Sequence, residues 1–124
     1  MLQRTIDGLV KAGITEIAVL TNHKEERVKE VVGTGRGRGF HTTFVHQERP
    51  LGTADALKSC EEWLKGESSF VVIYGDDYYS TKGITKFVKG LGGSDDQAIA
   101  AAEADDPSRF GRLEIGNEIG RAHV

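Results

Sequence analysis

The stretch that decides the fold is EIAVLT, Glu16–Thr21. It is short and nearly continuous in apolar residues, the pattern of a strand covered on both faces. On its N-terminal side Leu2, Ile6, Leu9 and Val10 recur at helical spacing, and Gly13 follows as a helix stop. On its C-terminal side KEERVKEVV (Lys24–Val32) returns to helical spacing, with Val28, Val31 and Val32 on one side and Glu25 placed to pair with Lys29 one turn on.

The same alternation continues outward. GTGRGRG (Gly33–Gly39) reads as a loop, FHTTFVHQ (Phe40–Gln47) as a strand, and TADALKSCEEWLK (Thr53–Lys65) as one helix. FVVIYGDD (Phe70–Asp77) reads as a strand ending in acids, GITKFVKGL (Gly83–Leu91) as a helix, AIAAAEA (Ala98–Ala104) as a strand and RLEI (Arg112–Ile115) as a short one. Strands alternating with helices imply βαβ units, and so an α/β fold with a mostly parallel sheet and helices on both faces. In such sheets ligands sit at the carboxyl ends of the strands. That rule singles out Thr21–Asn22, Gln47 onward, Gly75–Asp77 and Ala104–Asp106.

Bulk properties narrow the classes. The 124 residues are 38% hydrophobic and 28% charged with a formal net charge of −3, an ordinary globular composition for one domain at most. A mildly acidic chain is a poor nucleic-acid coat. No run approaches the roughly 18 apolar residues of a membrane span. The single Cys60 has no internal disulfide partner, which fits a reducing cytoplasm.

Within this frame one stretch carries the strongest local chemistry, and a second, His46–Leu57, taken by itself reads first as an ordinary loop-to-helix junction. VVIYGDDYY (Val71–Tyr79) puts two carboxylates at the binding edge of an apolar strand, a suitable seat for Mg²⁺, which takes one or two carboxylates and leaves its other positions to water and phosphate. The competing reading is a turn whose Asp caps the next helix. In HQERPLGTADAL (His46–Leu57), Gln47 offers both a donor and an acceptor suited to a nucleobase edge. Gly52 leaves room against the backbone and Thr53 is placed to cap the helix. GTGRGRG follows a helix and precedes a strand, the reverse of a phosphate cradle, and is set aside. His23, His41, His46 and His123 lack metal-ligand spacing, and Cys60 reads as a packing residue in mid-helix.

Taken together and in order, LVKAGITEIAVLTNH, VHQERPLGTADAL, FVVIYGDD and DDPSRFGRLEI resemble the sugar-1-phosphate nucleotidylyltransferases, the enzymes that make nucleoside-diphosphate sugars. The resemblance implies a Rossmann-like fold and a reaction of a nucleoside triphosphate with a sugar-1-phosphate, with UTP or dTTP favoured and Mg²⁺ as cofactor. By the same resemblance Gln47, Gly52 and Thr53 bind the nucleotide, Asp76 holds the metal, and the backbone of Gly111 meets the sugar. No catalytic side chain falls within these residues, because the family's Gly-rich phosphate loop and its basic residues match nothing here.

The resemblance also implies that the family's first, central strand is missing, so that Glu16–Thr21 and Phe70–Tyr74 would each face a gap. Buried unpaired backbone groups cost about 1–3 kcal/mol each against a total stability of about 5–15 kcal/mol. The expectation is therefore poor folding of these residues alone, or re-pairing of those two strands. Residues 1–115 are read as a partial nucleotidyltransferase domain. GNEIGRAHV, residues 116–124, is read as a non-native tail resembling a translated sequencing adapter. Two other classes are carried: a non-catalytic nucleotide-binding regulatory module, and a metal-dependent glycosyltransferase with an Asp-rich turn.

Overall fold

A computed structural model describes residues 1–91, 98–101, 103–109, 112–114 and 121–123. The chain divides into two compact units, Met1–Gly92 and Gly93–Val124. The first unit runs α1 (Leu2–Lys11), β1 (Glu16–Thr21), α2 (Glu25–Val32), β2 (His41–His46), α3 (Thr53–Lys58), α4 (Glu61–Leu64) and α5 (Thr81–Gly90). The α/β class and the parallel pairing read from the sequence both hold.

Helix α1 ends where its glycine predicts. Gly13 has φ +93°, its N–H bonds Val10 O at 3.0 Å and that of Ile14 bonds Leu9 O at 2.9 Å. This left-handed closure satisfies carbonyls the helix leaves open and turns the chain into β1. Strands β1 and β2 then pair in parallel over six residues, from Glu16 opposite His41 to Thr21 opposite His46. The ladder continues one bond beyond each end, with His41 N–H to Thr15 O at 2.8 Å and Gln47 N–H to Thr21 O at 2.8 Å.

One face of this ribbon carries Ile17, Val19 and Thr21, all buried. The core gathers Ile17 and Val19 with Ile6 and Leu9 of α1, Val32 of α2, Phe40 and Ile84 of α5, and Ile73 and Tyr79 pack at its margin. Helices α1 and α5 approach closely at Gly8, where a Cβ would come within 2.7 Å of Ile84 Cδ1. Ser80 caps α5 by accepting from Gly83 N–H at 3.0 Å. On β2 the hydroxyl of buried Thr42 has no hydrogen-bond partner among the described residues, and neither has that of Thr21.

Three expectations are corrected. Phe70–Tyr74 forms no strand and does not re-pair with β1, whose ladder partner among the described residues is β2. The exposures still alternate, with Phe70, Val72 and Tyr74 at 51, 62 and 54% and Val71 and Ile73 half-buried. An apolar segment with a strand's period and no ladder is one whose pairing partners are not among these elements. Second, the described part of Ala98–Ala104 is not a strand either; Ala102 lies outside the described residues. Third, the helix expected over Thr53–Lys65 is two, broken at Ser59–Cys60. Ser59 Oγ bonds Asp55 O at 3.0 Å, and Cys60 N–H turns to Leu57 O at 2.9 Å, an i−3 bond that tightens the chain and ends α3. Cys60 is accordingly at the break and not in mid-helix, buried as a packing residue, and its thiol is pushed up by that burial.

The second unit contains the one-turn 3₁₀ helix Pro107–Arg109 and an antiparallel pair, β3 (Arg112–Glu114) and β4 (Arg121–His123). The short strand expected at RLEI is β3 over Arg112–Glu114, and Ile115 lies outside the described residues.

The loop between α2 and β2 yields a stability test. Gly35 has φ +76°, and a Cβ there would press into the carbonyl oxygen and ring of Phe40. Gly37 and Gly39 share the left-handed conformation but have open space around them. Gly35→Ala should lower stability by about 2–5 kcal/mol in chemical denaturation, combining the left-handed penalty with overpacking. Gly37→Ala and Gly39→Ala should each cost only about 1–2 kcal/mol, the conformational share alone.

Candidate functional site

The parallel register delivers the carboxyl ends of β1 and β2 side by side, and Gln47 is the first residue past β2. Four hydrogen bonds fix it. Its N–H bonds Thr21 O at 2.8 Å, and Asn22 Nδ2 donates to its carbonyl oxygen at 2.6 Å. Its side-chain Nε2 donates to Gly52 O at 3.4 Å and to Asp55 Oδ2 at 2.9 Å. Gln47 is only 6% exposed, so each polar group it buries needs a partner.

Gly52 closes this loop. Its φ of +106° and ψ of 176° belong to a region essentially restricted to glycine. Among the described residues nothing lies within 4 Å of a would-be Cβ there. The same residue is the N-cap of α3, its carbonyl accepting from Ala56 N–H at 3.0 Å. Thr53, read from sequence as the cap, is instead the first helical residue and makes no capping bond. The reason is geometric: the chain enters the helix at Gly52, whose carbonyl takes the first helical bond. Gln47, Gly52 and Thr53 are thus brought together at one loop-to-helix corner.

Asp76 lies elsewhere in the unit, in the exposed turn Gly75–Asp77. Helix α1 supports this turn: a Cβ on Gly75 would stand 3.3 Å from Leu2 Cδ1, and Arg4 lies over the Tyr78 ring at 5.6 Å. Asp77 accepts from Tyr79 Oη at 3.1 Å; burial first, and then this carboxylate, hold the Tyr79 phenol above its usual range. Asp76 has no hydrogen bond or ion pair among the described residues. None of their hydrogen bonds or ion pairs joins the Gln47 corner to Asp76. Among them no group of three His, Cys, Asp or Glu side chains forms a metal cage. Gly111 lies outside the described residues.

Two residues that the sequence reading did not assign belong to the Gln47 corner. The strand-end rule picks out Asn22 by its place alone and does not reach Asp55. The available signal for Asp55 was an acid in the first turn of a helix that follows a polar strand end.

Below the corner, His46 Nδ1 lies 2.7 Å from Glu25 Oε2, and the Lys29 ammonium lies 2.7 Å from Glu25 Oε1. The pair joins the end of β2 to the first turn of α2. The Lys29 bond, opposed by burial and aided by His46, holds the Glu25 carboxyl below its ordinary range. His41, by contrast, faces solvent beside Glu16 at 3.4 Å.

Comparison with known proteins supplies the context for this corner. A family model described as nucleotidyl transferase matches residues 1–123. The low-salt glycan biosynthesis nucleotidyltransferase Agl11 of Haloferax volcanii is 32% identical over 120 residues, covering 95% of this chain and 33% of its own length. The mannose-1-phosphate guanyltransferase of Saccharomyces cerevisiae is 32% identical over 115 residues, 90% of this chain and 31% of its own. A glucose-1-phosphate thymidylyltransferase of Streptomyces antibioticus is 30% identical over 115 residues, 91% of this chain and 32% of its own. The chain spans about a third of the length of these curated relatives.

The Glu25 arrangement predicts a pH dependence. A carboxyl whose pKa is lowered by folding contributes stability above its ordinary value of 4.5, and that contribution is lost as pH falls through the lowered value. Denaturation midpoints measured from pH 7 downward should fall less steeply below about 4.5 in Glu25→Gln than in the unaltered chain.

Proposed function

This chain belongs to the nucleotidyl transferase family, and on that premise we propose that it forms the base-binding part of a sugar-1-phosphate nucleotidylyltransferase. UTP or dTTP is the nucleotide this reading favours, and a sugar-1-phosphate the second substrate. The observation that carries it is Gln47: a buried amide held at the carboxyl edge of a parallel sheet, beside a glycine with open space in front of it.

The reaction is an in-line displacement. A phosphate oxygen of the sugar-1-phosphate forms a bond to the α-phosphorus of the nucleotide as the bond to pyrophosphate breaks, and the leaving electrons go to pyrophosphate. Such a step depends on positioning and charge neutralisation rather than on a protein nucleophile. Gln47 and the Gly52–Thr53 backbone hold and orient the base. Asp76, exposed and without an ion-pair partner among the described residues, is a donor suited to Mg²⁺, which accepts one carboxylate when phosphates and water complete its shell. Bound there, the ion would offset phosphate charge. The Gly111 backbone is assigned to the sugar by the resemblance of Phe110-Gly111 to the family's aromatic-Gly pair after an acidic turn.

On the resemblance, the family's phosphate-neutralising residues are not among the motifs recognised in this chain, and on this reading these residues are expected to bind nucleotide without turning it over. A cytoplasmic setting, with Cys60 reduced, completes the reading. A metal-dependent glycosyltransferase is disfavoured, since the family matched along residues 1–123 is nucleotidyl transferase.

Calorimetric titration of the 124-residue chain tests this. UTP or dTTP should bind, and Gln47→Ala should weaken binding by about 10- to 100-fold, the effect of leaving one buried polar group of the base unpaired. Asp76→Asn should remove most of the paramagnetic relaxation produced by Mn²⁺ with bound nucleotide, whereas Asp77→Asn should retain it. Failure of the unaltered chain to bind any nucleotide would sink the proposal.

A further inference from the structure

The hydrogen bonds at the Gln47 corner have a direction as well as a position. A primary amide owns two N–H donors and one acceptor oxygen. Both partners of Gln47 Nε2, the Gly52 carbonyl at 3.4 Å and the Asp55 carboxylate at 2.9 Å, are acceptors only. Turning the amide over would set its oxygen against two other oxygens and leave both N–H groups unpaired, so the orientation follows from chemistry and not from fitting O and N by shape. Both donors are thereby committed within the fold. No donor among the described residues reaches Oε1. It is not one of the fully enclosed orphans either, which are the hydroxyls of Thr21 and Thr42.

We propose that Asp55 is a specificity-determining positioning residue: by fixing the Gln47 amide it leaves the site one outward acceptor, which selects nucleobases with a ring N–H donor. This rests on the reading of Gln47 as the residue that meets the base. Uracil and thymine carry an N–H at ring position 3 and guanine one at position 1. Adenine and cytosine place a bare acceptor nitrogen at the corresponding edge and offer only an exocyclic amino group. Facing Oε1, that nitrogen meets a second acceptor, and a site that leaves polar groups unpaired rejects the ligand that causes it. Asp55 does this without touching the base. It is half-buried on the first turn of α3, where Gly52 starts the helix in the phase that turns this carboxylate back toward the strand end.

The test compares the intact 124-residue chain with Asp55→Asn and Asp55→Glu, titrated calorimetrically with UTP, dTTP, GTP, ATP and CTP. The unaltered chain should prefer UTP, dTTP and GTP over ATP and CTP by about tenfold or more. Asp55→Asn, whose amide can face Gln47 with either its oxygen or its nitrogen, should narrow that ratio to within about threefold. Asp55→Glu should recover part of the preference. A second readout needs no nucleotide: in ¹H–¹⁵N spectra the two Gln47 Nε2 protons should exchange slowly in the unaltered chain and faster in Asp55→Asn, with the backbone spectrum otherwise preserved. Equal discrimination by the unaltered chain and Asp55→Asn, or fast exchange of both protons in the unaltered chain, would overturn the assignment of Asp55 and leave nucleotide binding standing. Absence of nucleotide binding by the unaltered chain would remove the functional reading and this assignment with it.

Discussion

The parallel ladder between Glu16–Thr21 and His41–His46 is the constraint on which the rest depends. A parallel pair needs a crossover, and helix α2 with its glycine-rich return supplies it. Because side chains alternate, a six-residue register sends Ile17 and Val19 to one face, where α1, α2 and α5 deliver Ile6, Leu9, Val32 and Ile84 to meet them. The same register sets Thr21 beside His46, and so brings Asn22 and Gln47 together just past the strand ends. A slip of one residue would turn Ile17 and Val19 out of the core and separate Gln47 from Thr21 in a single step.

From that ladder the site follows by short local steps. Gln47 is buried because it continues the β2 ladder by one more bond. Burial obliges its amide to find partners, and the turn through Gly52 provides two of them by starting α3 where it does. Glycine is demanded here by backbone conformation: φ of +106° with an extended ψ admits almost nothing else. The acidic turn at Gly75–Asp77 is held by different contacts, from Leu2 and Arg4 of α1, and its carboxylates stay in solvent. An amide enclosed by the fold and a carboxylate left outside it are suited to different tasks, recognition of an uncharged ring edge and attraction of a cation.

Phe70–Tyr74 shows how the covering of an apolar run depends on its neighbours. The segment has the composition of a buried parallel strand and keeps a strand's alternation, yet three of its large apolar side chains are at least half exposed. Nearly continuous apolar runs are stable where elements cover both faces and strands pair both edges. Within Met1–Gly92 the inner side finds Ile73 a place at the core margin, and no ladder forms. The sequence pattern reported the segment's preferred surroundings, and the described residues supply only part of them.

The sequence by itself determined the order of elements from α1 to the start of α3, the parallel crossover and the corner where Gln47 and Gly52 meet. These rest on periodicity and on glycine's conformational range, both properties of short segments. It also pointed to the two acids after the Phe70–Tyr74 run, of which the family resemblance singles out Asp76. Only the tertiary structure decided that Gly52 rather than Thr53 begins α3, that the helix after it breaks at Ser59–Cys60, and that Asn22 and Asp55 serve Gln47. Each of those depends on which carbonyl or carboxylate lies within about 3 Å of a given N–H, over separations of up to 25 residues. Such distances are fixed by packing, and local pattern carries no record of them.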